Sequence, residues 1–221
     1  MLAAATDGKH GNVNSNNMRE DLIERIYEIL GNLATKQINN GYKTLAEPIP
    51  IEYLQAGLYF FFDLNIPRIN GIGNKIIRIG ISGNNGNNRL GLHKNGNINS
   101  SIYRKHVGRA FANMNNGIID NIQISNYIHN LPYLFLPVAN NDQLHNLEKK
   151  LIQIISNCNQ LNQIDIPPNN WLGFQQGPNI NPAISCSHLW NVHFVKNFNE
   201  NNEFLYDQTL IELNNIVNAL P

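Results

Sequence analysis

Between positions 18 and 38 apolar residues recur at helical spacing. In MREDLIERIYEILGNLATKQI, Leu22, Ile23, Ile26, Ile29, Leu30 and Leu33 fall on one face. Acidic residues open this predicted helix and Lys36 stands near its end, which matches the helix dipole. Pro48 and Pro50 close the linker behind it. The period then changes. GLYFFFDL (57–64) is a nearly continuous apolar, aromatic run bounded by Gly57 and Pro67, which predicts a buried strand. NKIIRIGIS (74–82) predicts a second, with Ile77, Ile79 and Ile81 on one face and Ile76, Arg78 and Gly80 on the other. Pro67, Asn70 and Gly71 lie between the two, as a long hairpin requires.

Further along, SIYRKHVGRAFANM (101–114) predicts a helix. Tyr103, Val107, Ala110, Phe111 and Met114 face inward, and Arg104, Lys105 and Arg109 lie opposite. LPYLFLPVA (131–139) predicts a third strand, with Pro132 and Pro137 marking its ends or an edge position. Asn141 or Asp142 then caps a helix reaching about Ser156, with Leu144, Leu147, Leu151 and Ile154 toward the core. A loop region carrying WLGF and HLWNVHFV follows, then a last helix over 205–219. Residues 1–17 are polar and without period, which predicts a disordered arm. Strand, strand, helix, strand, helix describes an α+β unit over 51–221, preceded by a helix and linker over 18–50.

The 221 residues suffice for one sizeable core. Asn makes up roughly one residue in five, in short tracts such as GNNGNN that interrupt patterned segments. Drift in an AT-rich coding sequence explains this more simply than a prion-like character. The 16 basic and 16 acidic residues cancel, so any polyanion must be held by a local patch rather than a global field. The two cysteines, Cys158 and Cys186, cannot build a disulfide framework and suit a reducing cytoplasm. No apolar run approaches the ~20 residues that span a bilayer, and MLAAAT lacks the charged region of a signal peptide. A cytoplasmic protein without membrane contact is the expectation.

The loop in IIRIGISGNNGNNRLGLH (76–93) invites a nucleotide-binding reading, but its chemistry does not fit. No Lys followed by Ser or Thr comes after the glycines, and Gly80, Gly83 and Gly86 miss the dinucleotide spacing. Cys158, Cys186, His188 and His193 are zinc-type ligands, yet only the two histidines are spaced as a finger pair, in an apolar stretch around Trp190. A different constellation stands out by its order. Gly57-Leu58-Tyr59 opens one strand and Arg78-Ile79-Gly80 closes the next. Arg89 and His93 follow one helical turn apart, and Glu148 lies on the helix after the third strand.

This order resembles the GIY-YIG nuclease superfamily. GLY stands for its first motif, RIG for its second, and R-x₃-H is similar to the spacing in its restriction-endonuclease members. The resemblance covers residues 56–156, and LPYLFLPV, WLG and LWNVHFV extend it to about 195. It implies a small, mainly antiparallel three-stranded sheet flanked by helices, with helical extensions at both ends. It also implies a metal-dependent DNA endonuclease, in restriction, defence or a mobile element. Tyr59, with His93, would activate water, Arg89 and Arg78 would hold the phosphate, and Glu148 would bind Mg²⁺ or Mn²⁺. An Asn often follows the catalytic Glu in this superfamily, and here Asn157, Asn159, Asn162, Asn170 and Asn191 compete for that place.

Arg78 departs from the pattern, standing where the second motif has Tyr. An Arg binds phosphate but cannot serve as a base. The alternative implied is a degenerate domain that binds nucleic acid without cutting it. Arg104, Lys105 and Arg109 supply the local basic face for DNA. Cutting both strands calls for a homodimer or two successive nicks.

Overall fold

The structure is a computed structural model, and it describes residues 15–37, 41–68, 73–83, 89–160, 162–175, 177, 181–196 and 198–221. Most of the expected N-terminal arm (1–14) and the spacer 84–88 lie outside the described residues. Helix α1 covers Ser15–Lys36. It starts before Met18, so the acidic residues Glu20 and Asp21 fall in its second turn instead of its first. Next come β1 (Lys43–Thr44), β2 (Gly57–Pro67) and β3 (Asn74–Ser82). Helices α2 (Arg89–Asn95), α3 (Ile102–Met114) and α4 (Asn121–His129) follow. Strand β4 (Pro132–Pro137), α5 (Asn141–Ile155), α6 (Pro182–Ser187) and α7 (Glu203–Asn218) complete the chain. The α+β expectation holds.

The sheet is antiparallel in the order β1-β4-β2-β3. It has four strands, because the two-residue β1 adds to the three expected. Both prolines of β4 are its end residues, where a missing N–H costs no ladder bond. β2 reads as an unbroken apolar run because both faces of the sheet are covered. On one side, Leu58, Phe60, Ile79, Leu134 and Leu136 meet α1, α5 and α7. On the other, Tyr59, Phe61, Tyr133 and Phe135 meet Leu90, Tyr103, Val107 and Ile124 from α2, α3 and α4. Fully burying one such side chain contributes about 1.5–3 kcal/mol.

The alternation expected for β3 fails at one place. Phe61 pairs with Arg78 while Phe62 pairs with Ile76, so Ile77 is an extra residue in a β-bulge. The bulge turns Ile77 to the Tyr59 side and leaves Ile76 and Ile79 in the opposite core. Arg78 thereby keeps company with Gly80, across from Phe61 and Tyr59.

Local caps refine the helices. Ser101 caps α3 by accepting from the Arg104 amide at 3.1 Å. The α5 cap is Asn140, not Asn141 or Asp142, accepting from the Gln143 amide at 3.0 Å. Met114 at the end of α3 is exposed, not inward. At the other end of α5, the Arg19 guanidinium donates to the carbonyls of Ile154, Ile155 and Ser156. This satisfies acceptors that a helix end otherwise leaves open.

The cysteines overturn their sequence reading. Cys158 and Cys186 form a disulfide. The chain leaving α5 runs beside the end of α6, where the Asn157 amide donates to the Ser187 carbonyl at 3.1 Å, and this brings the sulfurs together. A count of two thiols says nothing of such proximity. Among the described residues no helix is long and apolar enough to cross a membrane.

Candidate active site

β3 is an outer strand of the sheet, and a cleft of about 420 Å³ opens beside it. Four of the five residues assigned to chemistry from the sequence line it: Arg78, Arg89, His93 and Glu148. Arg78 comes from β3, Arg89 and His93 from α2, and Glu148 from α5 on the opposite face of the sheet. The bulge, the short α2 and the packing of α5 on β3 are what bring these groups around one space.

Arg78 is 7% exposed. One guanidinium nitrogen donates to the Trp190 carbonyl at 2.9 Å, and the group sits 4.7 Å over the Tyr103 ring. Its Nε has no partner among the described residues. A buried N–H of a charged group without an acceptor is costly, and an entering oxyanion would relieve that cost. Arg89 opens α2 and is exposed.

Tyr59, expected to activate water with His93, does not line the cleft; it is fully buried behind His93. Its hydroxyl lies 2.9 Å from His93 Nε2, and His93 Nδ1 lies 3.0 Å from the Ser101 hydroxyl. The three side chains form a hydrogen-bonded chain, of which His93 and Ser101 line the cleft and Tyr59 lies behind. Burial, then the charges of Arg78, Arg89 and Arg104, push the His93 pKa well below its usual value. The ring is therefore neutral at pH 7, with one nitrogen donating and the other accepting.

Glu148 is half-buried and makes no ion pair within 4.0 Å among the described residues. Burial raises its pKa, against the lowering influence of Arg78, Arg89, His145 and His193. It is the acidic residue of the cleft lining. No group of three His, Cys, Asp or Glu side chains among the described residues could hold a metal by itself. A single carboxylate still suits Mg²⁺, which keeps several waters and takes remaining oxygens from a substrate phosphate.

The expected DNA-binding face is redrawn. Arg104 is completely buried, donating to the carbonyls of His93 (2.6 Å) and Asn97 (3.1 Å) and to the Ser125 hydroxyl (2.8 Å). It ties α2 to α3 and α4, and has no place on a surface. Lys105 is exposed and Arg109 half-buried on α3. Of the competing asparagines, Asn191 alone lines the cleft, and its amide is spent on Ile79: Oδ1 accepts at 3.1 Å and Nδ2 donates at 2.8 Å. Asn157 is buried away from the cleft, bonded to Arg19, Ile164 and His188.

The cleft also gathers His145, His193 and Ser101, which the sequence reading left out of the site. His145 stands one helical turn before Glu148, so its spacing carried a signal. His193 and Ser101 carry none, because each reaches the cleft only through the fold.

Fold and site together define an α+β protein with a cationic cleft at the outer strand of its sheet and one carboxylate on the facing wall. The chain belongs to the GIY-YIG domain family, whose model matches residues 17–120 and 117–217. That membership carries a nuclease-type function. No curated protein and no solved structure matches the chain.

Proposed function

We propose that the cleft hydrolyses DNA phosphodiesters with a divalent cation, Mg²⁺ or Mn²⁺, held at Glu148. The observation that carries this reading is the pairing across one cleft of Arg78, whose Nε–H has no partner among the described residues, and a carboxylate that makes no ion pair among them. Arg78 and Arg89 hold the scissile phosphate and offset the charge that builds on it. The cation, when bound, supplies the positive charge that stabilises the departing oxygen. A water oxygen bonds to phosphorus as the bond to the departing sugar oxygen breaks.

The water's proton passes toward the Ser101–His93–Tyr59 chain. Ser101 relays it to Nδ1 of His93, and the Tyr59 oxygen accepts from Nε2–H, which fixes the tautomer and the ring. The phosphate also prepares the base. Its charge offsets Arg78 and Arg89, two of the groups that disfavour a protonated His93. Arg78 in this scheme does the phosphate-binding part of a tyrosine's work and leaves proton transfer to the His93 chain. Lys105 and Arg109 contact flanking phosphates, so affinity falls as salt rises.

The test is metal-stripped protein incubated with supercoiled plasmid while Mg²⁺ or Mn²⁺ is titrated back. Nicking that appears only with the metal supports the reading. Salt-sensitive DNA binding with no cutting at any metal concentration would convert it to a binding domain.

A further inference from the structure

The floor of the cleft is charged, but three apolar side chains stand exposed at its lining. Leu92 is 41%, Ile102 51% and Phe194 42% exposed. Phe194 is the unusual one. Its backbone is left-handed, with φ 63°, a conformation that bulky residues rarely adopt. The turn that imposes it is pinned at both ends. Asn191 is clamped to the Ile79 backbone by two hydrogen bonds, and the Val195 carbonyl accepts from the Ser156 hydroxyl at 2.5 Å. Val195 itself is buried. The chain is thus held in an unfavourable conformation that leaves an aromatic ring in solvent beside the phosphate site, when burial would be its ordinary use.

We propose that Phe194 is a stacking platform for a nucleobase next to the scissile phosphate, with Leu92 and Ile102 enclosing that base. The inference rests on the nuclease reading above and names its substrate class: a strand segment unpaired at the cut. A base inside an undistorted duplex has both faces occupied by its neighbours, whereas a base in an unpaired segment can turn a face to the ring without a paired step having to be opened. Stacking is indifferent to base identity, since every base has a π face. The cationic floor and the aromatic rim then divide the work, one holding phosphate and the other holding base.

The experiment uses two strands of equal length and charge: a short oligothymidylate and an abasic strand of tetrahydrofuran units. Affinities are measured by fluorescence anisotropy with EDTA present, for the wild type, Phe194→Ala and Phe194→Trp. The wild type should prefer the base-bearing strand by about tenfold or more. Phe194→Ala should reduce that preference nearly to unity, and Phe194→Trp should retain it. Equal wild-type affinity for both strands, or a preference that survives Phe194→Ala, overturns the inference. Mg²⁺-dependent cutting of the oligothymidylate judges the nuclease reading separately. Cutting without base preference sinks the platform alone, and a Phe194-dependent preference without cutting sinks the nuclease and upholds the platform.

Discussion

Gly80→Ala probes the contact on which the site's geometry depends. Gly80 pairs with Tyr59 across β2 and β3. A Cβ added there would lie 2.8 Å from Tyr59 Cε2 and closer still to Cζ and the hydroxyl. The ring has nowhere to retreat, for it is fully buried, with Phe61 and His93 each 5.6 Å away centroid to centroid. Overpacking of this kind costs about 1–3 kcal/mol. Displacing the hydroxyl from His93 forfeits a buried hydrogen bond worth a further ~1 kcal/mol. The sum, about 2–4 kcal/mol, lowers the melting midpoint of a domain this size by about 5–15 °C. Thermal unfolding of Gly80→Ala beside the wild type measures it, and the cleavage rate should drop with it as His93 loses its anchor. A variant that melts within about 2 °C of the wild type and cuts at the same rate would refute the role given to this glycine.

Ser101 has two tasks that substitutions can separate. Ser101→Ala loses the helix cap and the His93 bond, at about 1–2 kcal/mol, whereas Ser101→Gly keeps most of the cap. Both should slow cleavage alike if the His93 bond matters, and both lose that bond's stability, while Ser101→Ala shows the larger drop in urea stability by the share of the cap. Arg104→Ala should destabilise by about 3–5 kcal/mol by leaving buried acceptors unpaired, and Lys105→Ala should leave stability unchanged and weaken salt-sensitive DNA binding. Acid should unfold the protein early. Burial lowers His188 to about 4, and His93 is lowered as well. Below about pH 6.5 the unfolded chain binds protons these rings refuse, so their stabilisation is complete above that pH and fades as pH falls toward 4. His188 alone contributes on the order of 2–3 kcal/mol, readable as a falling urea midpoint. Glu148 acts in the opposite sense: its raised pKa favours the folded state in acid, and that contribution is lost as pH rises.

The periodic helices were legible because one face of each is buried and burial leaves its mark in spacing; the three longer strands, buried on both faces, were legible as short continuous apolar runs. α4 and α6 were not, because NIQISNYIH and PAISCS are too short and too weakly patterned to show a period. The bulge at Ile77 was invisible for a different reason: an apolar run buried on both sides carries no alternation to break. Among site residues, Arg78, Arg89, His93 and Glu148 could be read because their order along the chain is itself a pattern. The charge of Arg104 points to a surface, but three neighbouring acceptor oxygens make an interior position tolerable. Cys158 and Cys186 were judged by number, when what joins them is the packing of two chain segments.

The central claim is that one phosphodiester is held between Arg78 and Arg89 on one wall and a cation at Glu148 on the other. Single-turnover cleavage of a labelled DNA substrate by folded wild type, Glu148→Gln and Arg78→Ala tests it most directly. The account predicts a loss of about 100-fold or more in each variant, with thermal unfolding showing both still folded. Cleavage by Glu148→Gln at the wild-type rate would contradict it.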